Sequence, residues 1–119
     1  MSASTRKKLG MLTNGIQAAD FLEVLRPTLD SSEFAGVKVT CCDGIGWDSQ
    51  QQMLKDIQSV NAEKFMDVVS SHGYSAAPGD PFNTTLSVLQ TEWANIFSPW
   101  STGWDTGADG DGLLWASRI

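Results

Sequence analysis

The sequence predicts an α/β fold built on parallel strands, and three observations carry that expectation. Apolar runs of strand length occur three times, segments with helical periodicity precede the first and second of them, and each run ends in polar or aromatic residues. Strand, crossover and strand in this order imply parallel pairing with right-handed connections.

Taking the elements in order, Ala18, Phe21, Leu22, Leu25 and Leu29 recur at helical spacing from Gln17 to about Leu29, which predicts an amphipathic helix. Pro27 falls in its last turn and is expected to kink or fray the end; Ser31, Ser32 and Gly36 then mark a loop. Val37 opens the first strand, which runs through Cys41 and Cys42 into Asp43. After Gly44, Gly46 and Trp47, the run Asp48-Ser49-Gln50-Gln51 fits a variant capping box with Asp48 as the cap. Met53, Leu54, Ile57 and Val60 give the stripe of a second helix. Phe65 to Ser71 forms the second strand and ends in His72-Gly73-Tyr74.

The stretch from His72 to Leu86 holds Pro78, Gly79, Asp80 and Pro81 without apolar periodicity, so a loop with at most one helical turn is expected. Leu86-Ser87-Val88-Leu89 then leads into Gln90-Thr91-Glu92-Trp93-Ala94, a third strand whose end carries a carboxylate beside an indole. Beyond Trp93 the chain is rich in Trp, Ser, Pro and Gly, which predicts a long loop. Leu113 to Ile119 has the pattern of a last helix, and the chain stops inside it, as expected for a piece of a larger fold.

Composition excludes several classes of function. The chain has 119 residues, 41% hydrophobic and 18% charged, which suits one small globular unit better than disorder. A net charge of -6 argues against nucleic acid as a partner, because phosphate recognition needs clustered Lys and Arg; the basic cluster Arg6-Lys7-Lys8 reads as a solvated tail. No segment has the length and apolarity of a membrane span or a secretory leader, so the chain as written is expected in the cytosol. Asn83-Thr84-Thr85 matches the N-glycosylation sequon, a pattern that also arises by chance. The adjacent Cys41 and Cys42 are expected to point to opposite faces of a strand as free, buried thiols, since a disulfide between neighbours is strained and uncommon. With one His and no second Cys pair, neither a metal nor another cofactor is expected, and no Gly-rich phosphate loop is present.

The motifs Gln17-Ala18-Ala19-Asp20-Phe21, Thr40-Cys41-Cys42-Asp43, Gly46-Trp47, Ser71-His72-Gly73-Tyr74-Ser75, Gln90-Thr91-Glu92-Trp93-Ala94 and Gly112-Leu113-Leu114-Trp115-Ala116 are individually weak. In this order and spacing they resemble fungal members of glycoside hydrolase family 30, the xylanase and endo-1,6-galactanase group. The resemblance covers residues 17 to 119, with residues 1 to 16 as a tail that has no clear match. It implies a partial (β/α)8 barrel containing about strands five to seven and their flanking helices. It also implies a retaining glycosidase that acts on a β-linked plant cell-wall polysaccharide such as xylan or β-1,6-galactan, secreted as its relatives are.

In that frame Glu92 corresponds to the catalytic nucleophile, and Tyr74 lies beside it and helps orient it. His72, Trp93, Asp43 and Trp47 are candidates for sugar contact, the indoles by stacking on C–H surfaces. A retaining glycosidase needs a second carboxyl group roughly 5 Å from the first. The resemblance assigns that acid/base to an Asn-Glu-Pro-like motif on the strand before the first helix, and the sequence has no such motif. Two readings therefore stay open: a glycosidase segment bearing the nucleophile, and a non-catalytic remnant that binds carbohydrate or self-associates through uncovered strand edges.

Overall fold

The structure is a computed structural model, and it describes residues 12–93. Two α-helices, a short 3-10 turn and three strands follow in the order α1 (Gly15–Asp30), β1 (Thr40–Gly44), α2 (Trp47–Ser59), the turn Glu63–Phe65, β2 (Val68–His72) and β3 (Ser87–Glu92). The strands form one parallel sheet in the order β1-β2-β3. Helix α2 lies over β1 and β2, and α1 packs on α2. This is the α/β arrangement expected from the sequence, with a crossover helix between the first two strands.

Helix α1 begins two residues before Gln17. Asn14 caps it: its side-chain carbonyl accepts from the Gln17 N–H at 2.9 Å, while the Gln17 side chain accepts from the Asn14 N–H at 3.1 Å. Pro27 sits inside the helix, which continues to Asp30. The buried face differs from the expected stripe. Ala19 and Leu22 are in the core with Ala18, Leu25 and Leu29 packed around them, whereas Phe21 is 63% exposed.

For α2 the expected cap at Asp48 is corrected. The helix begins at Trp47 after Gly46, and Ser49 reaches back, its hydroxyl accepting from the Gly46 N–H at 3.2 Å and donating to the Gly46 carbonyl at 2.8 Å. The short Ser49 side chain reaches these groups from the third helical position. Leu54 and Ile57 are buried as the stripe predicted, and Val60 is exposed.

Regular pairing in β1 starts at Thr40 rather than Val37. The Val39 carbonyl accepts from the N–H groups of both Asp67 and Val68, and the Val39 N–H donates to the Asp67 carboxylate at 2.7 Å. Arg26 reinforces this end of the sheet from α1, pairing with Asp30 and Asp67 and donating to the carbonyls of Ala35 and Val37. Such a clasp orders the loop that returns from helix to sheet. The core between sheet and helices joins Val39, Cys41, Met66, Val69 and Phe82 to the helical residues named above.

Cys41 and Cys42 overturn the expectation of two free thiols. They form a disulfide with each other across a cis peptide bond, with their Cα atoms 3.0 Å apart. Alternation between faces holds for trans-linked extended strands, and this pair is not one. Cys41 is buried in the core and Cys42 packs against its margin.

Candidate active site at the strand ends

Three strand ends converge on one cluster. β1 delivers Asp43, β2 delivers His72 and the following Tyr74, and β3 delivers Thr91 and Glu92. All lie at the carboxyl ends of parallel strands, where barrel folds place their chemistry.

The convergence depends on two irregularities at the same level of the sheet. In β1 against β2, Cys42 pairs with Ser70 and Gly44 with Ser71, so Asp43 is extra to the ladder. In β2 against β3, Ser71 pairs with Gln90 and His72 with Glu92, so Thr91 is extra. A bulge re-aims the side chains around it. In a regular strand Thr91 and Glu92 would face opposite sides; here both reach the same cluster. The two extra residues also meet: the Thr91 hydroxyl donates to the Asp43 carboxylate at 2.6 Å, spanning the intervening strand. Asp43 has a φ of 53°, a left-handed backbone that Asp tolerates better than most side chains.

One buried side chain supports the β1 irregularity. Gln50, fully buried on α2, accepts from the N–H groups of Gly44 at 2.9 Å and Cys42 at 3.3 Å, and donates to the Cys41 carbonyl at 3.2 Å. These bonds satisfy backbone groups around the disulfide and on either side of Asp43. Gly44 lets the α2 backbone come this close, because a Cβ there would lie 2.9 Å from the Gln50 backbone nitrogen.

Around Glu92, the Tyr74 hydroxyl donates to a carboxylate oxygen at 3.0 Å. His72 Nε2 lies 3.6 Å from the same Glu92 oxygen and 3.8 Å from Asp43, between two carboxylates. The His72 and Tyr74 rings pack edge to face at 5.4 Å. The loop carrying Tyr74 is held by the Ile45 carbonyl, which accepts from the N–H groups of Tyr74 and Ser75, and the Gly73 N–H donates to the Glu92 carbonyl. Trp93 joins the margin: its indole lies over Gly73, 3.2 to 3.3 Å from where a Cβ would stand.

Trp47 is the candidate that is not brought into the cluster. Its indole packs on Phe82 with ring centroids 4.6 Å apart and donates to Gln90 at 3.2 Å. Trp47 and Phe82 thus join the helix layer to the outer side of β3. Thr91 and Gln50 are the residues that sequence reasoning missed. Thr91 sat in plain view inside the Thr-Glu-Trp triplet, but nothing in composition marks the bulge that turns it toward Asp43.

The hydrogen bond to Glu92, together with partial desolvation and the nearby carboxylate charge, raises the pKa of Tyr74 above its ordinary value of 10.0. A raised folded-state value means that the bond's contribution is present below the unfolded phenol's pKa. It is lost as pH rises through the folded value. Tyr74 is the single tyrosine of the chain, so its phenolate absorbance reports the group directly. The midpoint is expected above 10 and should move back toward 10 in Glu92→Gln. An unshifted midpoint in the parent chain would contradict the bond.

Among the described residues no group of three or more His, Cys, Asp or Glu side chains is arranged to hold a metal ion, and no helix is long and apolar enough to cross a membrane. Trp100, Trp104 and the expected helix from Leu113 lie outside the described residues.

No family model matches the sequence. Among solved structures, the catalytic domain of the GH30 xylanase C from Talaromyces cellulolyticus superposes with a TM-score of 0.77 at 34% sequence identity, over 92% of this chain. The chain is thus similar, over nearly its whole length, to one part of a glycoside hydrolase family 30 catalytic domain. It spans 25% of the length of that xylanase domain, and its parallel sheet corresponds to part of a family 30 (β/α)8 barrel. The resemblance drawn from the sequence motifs and the superposition therefore agree on family and on architecture.

Proposed function

We propose that this family 30 segment carries the nucleophile half of a retaining glycosidase that acts on a β-linked plant cell-wall polysaccharide, xylan or β-1,6-galactan. The observation that supports it is the Glu92 carboxylate at the end of β3, oriented by the Tyr74 hydroxyl at 3.0 Å. The ionised Glu92 attacks the anomeric carbon and forms a glycosyl ester while the leaving oxygen is protonated by a second carboxylic acid. Water then hydrolyses the ester. Tyr74 fixes the attacking oxygen's direction, His72 lies against the same oxygen, and Trp93 borders the site with an apolar face suited to a sugar ring. Asp43, held by Thr91, positions His72 from the other side. The acid/base belongs to the strand that precedes α1 in the family's barrel.

Within a complete barrel containing this segment, the first-formed product should keep the anomeric configuration of the substrate, read by proton NMR on β-xylan and β-1,6-galactan oligosaccharides. An inverted first product would overturn the assignment of Glu92 as nucleophile.

A second reading, self-association of the isolated chain, is favoured by one feature. Phe21, Val24, Val37 and Leu89 are exposed, and a cavity of about 450 Å³ beside β1 is lined by Leu12, Ala18, Phe21 and the disulfide. In a full barrel such surfaces face neighbouring elements. The 119-residue chain alone is expected to sediment as concentration-dependent oligomers and to bind an apolar dye. A strictly monomeric sample with a sharp cooperative thermal transition would count against this reading.

A further inference from the structure

We propose that Asn83 is an N-glycosylation site on the face of the domain opposite the Glu92 cluster, used when the chain matures in an oxidising secretory compartment. Asn83-Thr84-Thr85 is the one sequon in the chain, with neither Thr84 nor the following Leu86 being proline.

The structure presents this tripeptide in a form that suits a folded glycoprotein. Asn83 and Thr85 are exposed, whereas the residues flanking Asn83 are anchored. Phe82 is buried against Trp47. The Thr84 hydroxyl donates to Glu63 and accepts from the Leu86 N–H. Gln58 donates both to Glu63 and to the Asn83 carbonyl at 2.7 Å. The backbone is thus held while the Asn83 side-chain amide stays in solvent, so a glycan there displaces no packing. The site precedes β3 and Glu92 ends it, which separates them by roughly 17 Å or more along the strand. A glycan at Asn83 therefore leaves the cluster open to a polymer.

The second observation is independent of the sequon. Cys41 and Cys42 are paired in a disulfide, and such bonds persist in oxidising compartments, where sequons are also read. In the transfer, the Asn83 amide nitrogen displaces the diphosphate of a lipid-linked oligosaccharide. A C–N glycosidic bond forms, the sugar–phosphate C–O bond breaks, and the amide proton leaves with the lipid diphosphate.

The test is translation of the full 119-residue chain behind a cleavable leader in the presence of microsomes. Protease protection identifies the translocated product. That product should migrate more slowly, and N-glycosidase should abolish the shift. Thr85→Ser should retain it and Thr85→Ala should lose nearly all of it. The enzyme should also remove the glycan from native protein. A protease-protected wild-type chain without the shift would overturn the proposal, as would a glycan released only after denaturation.

Discussion

In a complete barrel containing this segment, Glu92→Gln is expected to lower kcat by roughly 10⁴-fold or more, the scale on which loss of an enzyme's nucleophile acts. The amide keeps the volume and can still accept from Tyr74, whose hydroxyl lies 3.0 Å from the carboxylate oxygen, so the fold should be conserved. What is lost is the negative oxygen that forms the glycosyl ester. The decisive comparison is turnover of an activated aryl glycoside, which lowers the demand for leaving-group protonation, in parent and variant with unchanged circular dichroism. Turnover within tenfold of the parent would remove Glu92 from the nucleophile's role.

The second large effect is expected far from the sugar. Gln50→Ala leaves the Gly44 and Cys42 N–H groups and the Cys41 carbonyl without the partner that now satisfies them. Each buried backbone group so orphaned costs about 1–3 kcal/mol. Gln50 is fully buried, and water entering the vacated space would recover part of the loss. A net destabilisation of about 2–4 kcal/mol is expected on that basis, measured as a lower urea midpoint of the complete barrel at unchanged slope. The variant should also lose more activity than a comparably destabilising Ile57→Ala, whose side chain is buried in the core seven residues further along α2. Equal activity losses would mean that Gln50 stabilises the barrel without placing the β1 end.

Much of the architecture is legible in the amino-acid order, for physical reasons visible in particular residues. Leu54 and Ile57 repeat at the helical period because one face of α2 must leave water. Val69 sits in the middle of a run that no helix period explains. The strand ends, with Glu92, Tyr74 and His72, follow once the runs are recognised as parallel strands. The misplaced details are of another kind. Val37 resembles a strand residue in composition, yet the ladder begins only where Val39 meets Asp67 and Val68. The cap at Gly46 and Ser49 was hidden by an acidic Asp48 that makes the more familiar signal. Trp47 has the chemistry of a sugar platform, and only its packing on Phe82 and its bond to Gln90 assign it to the helix layer. The disulfide escaped because the geometry of neighbouring cysteines was judged on a trans-linked chain.

The paired bulges mean that the site is written partly in residue count and not only in residue identity. Asp43 and Thr91 each add one position beyond what the ladder with β2 requires, and the two added side chains bond to one another. A chain shortened by either position would keep its Glu, His and Tyr, and a comparison by residue type would score it as intact. It would nevertheless have lost one post of the bridge that spans β2. Insertions and deletions of one residue at these two places, which leave the composition almost untouched, are thus the changes by which a relative of this chain would lose the Asp43–Thr91 bridge while keeping its parallel sheet.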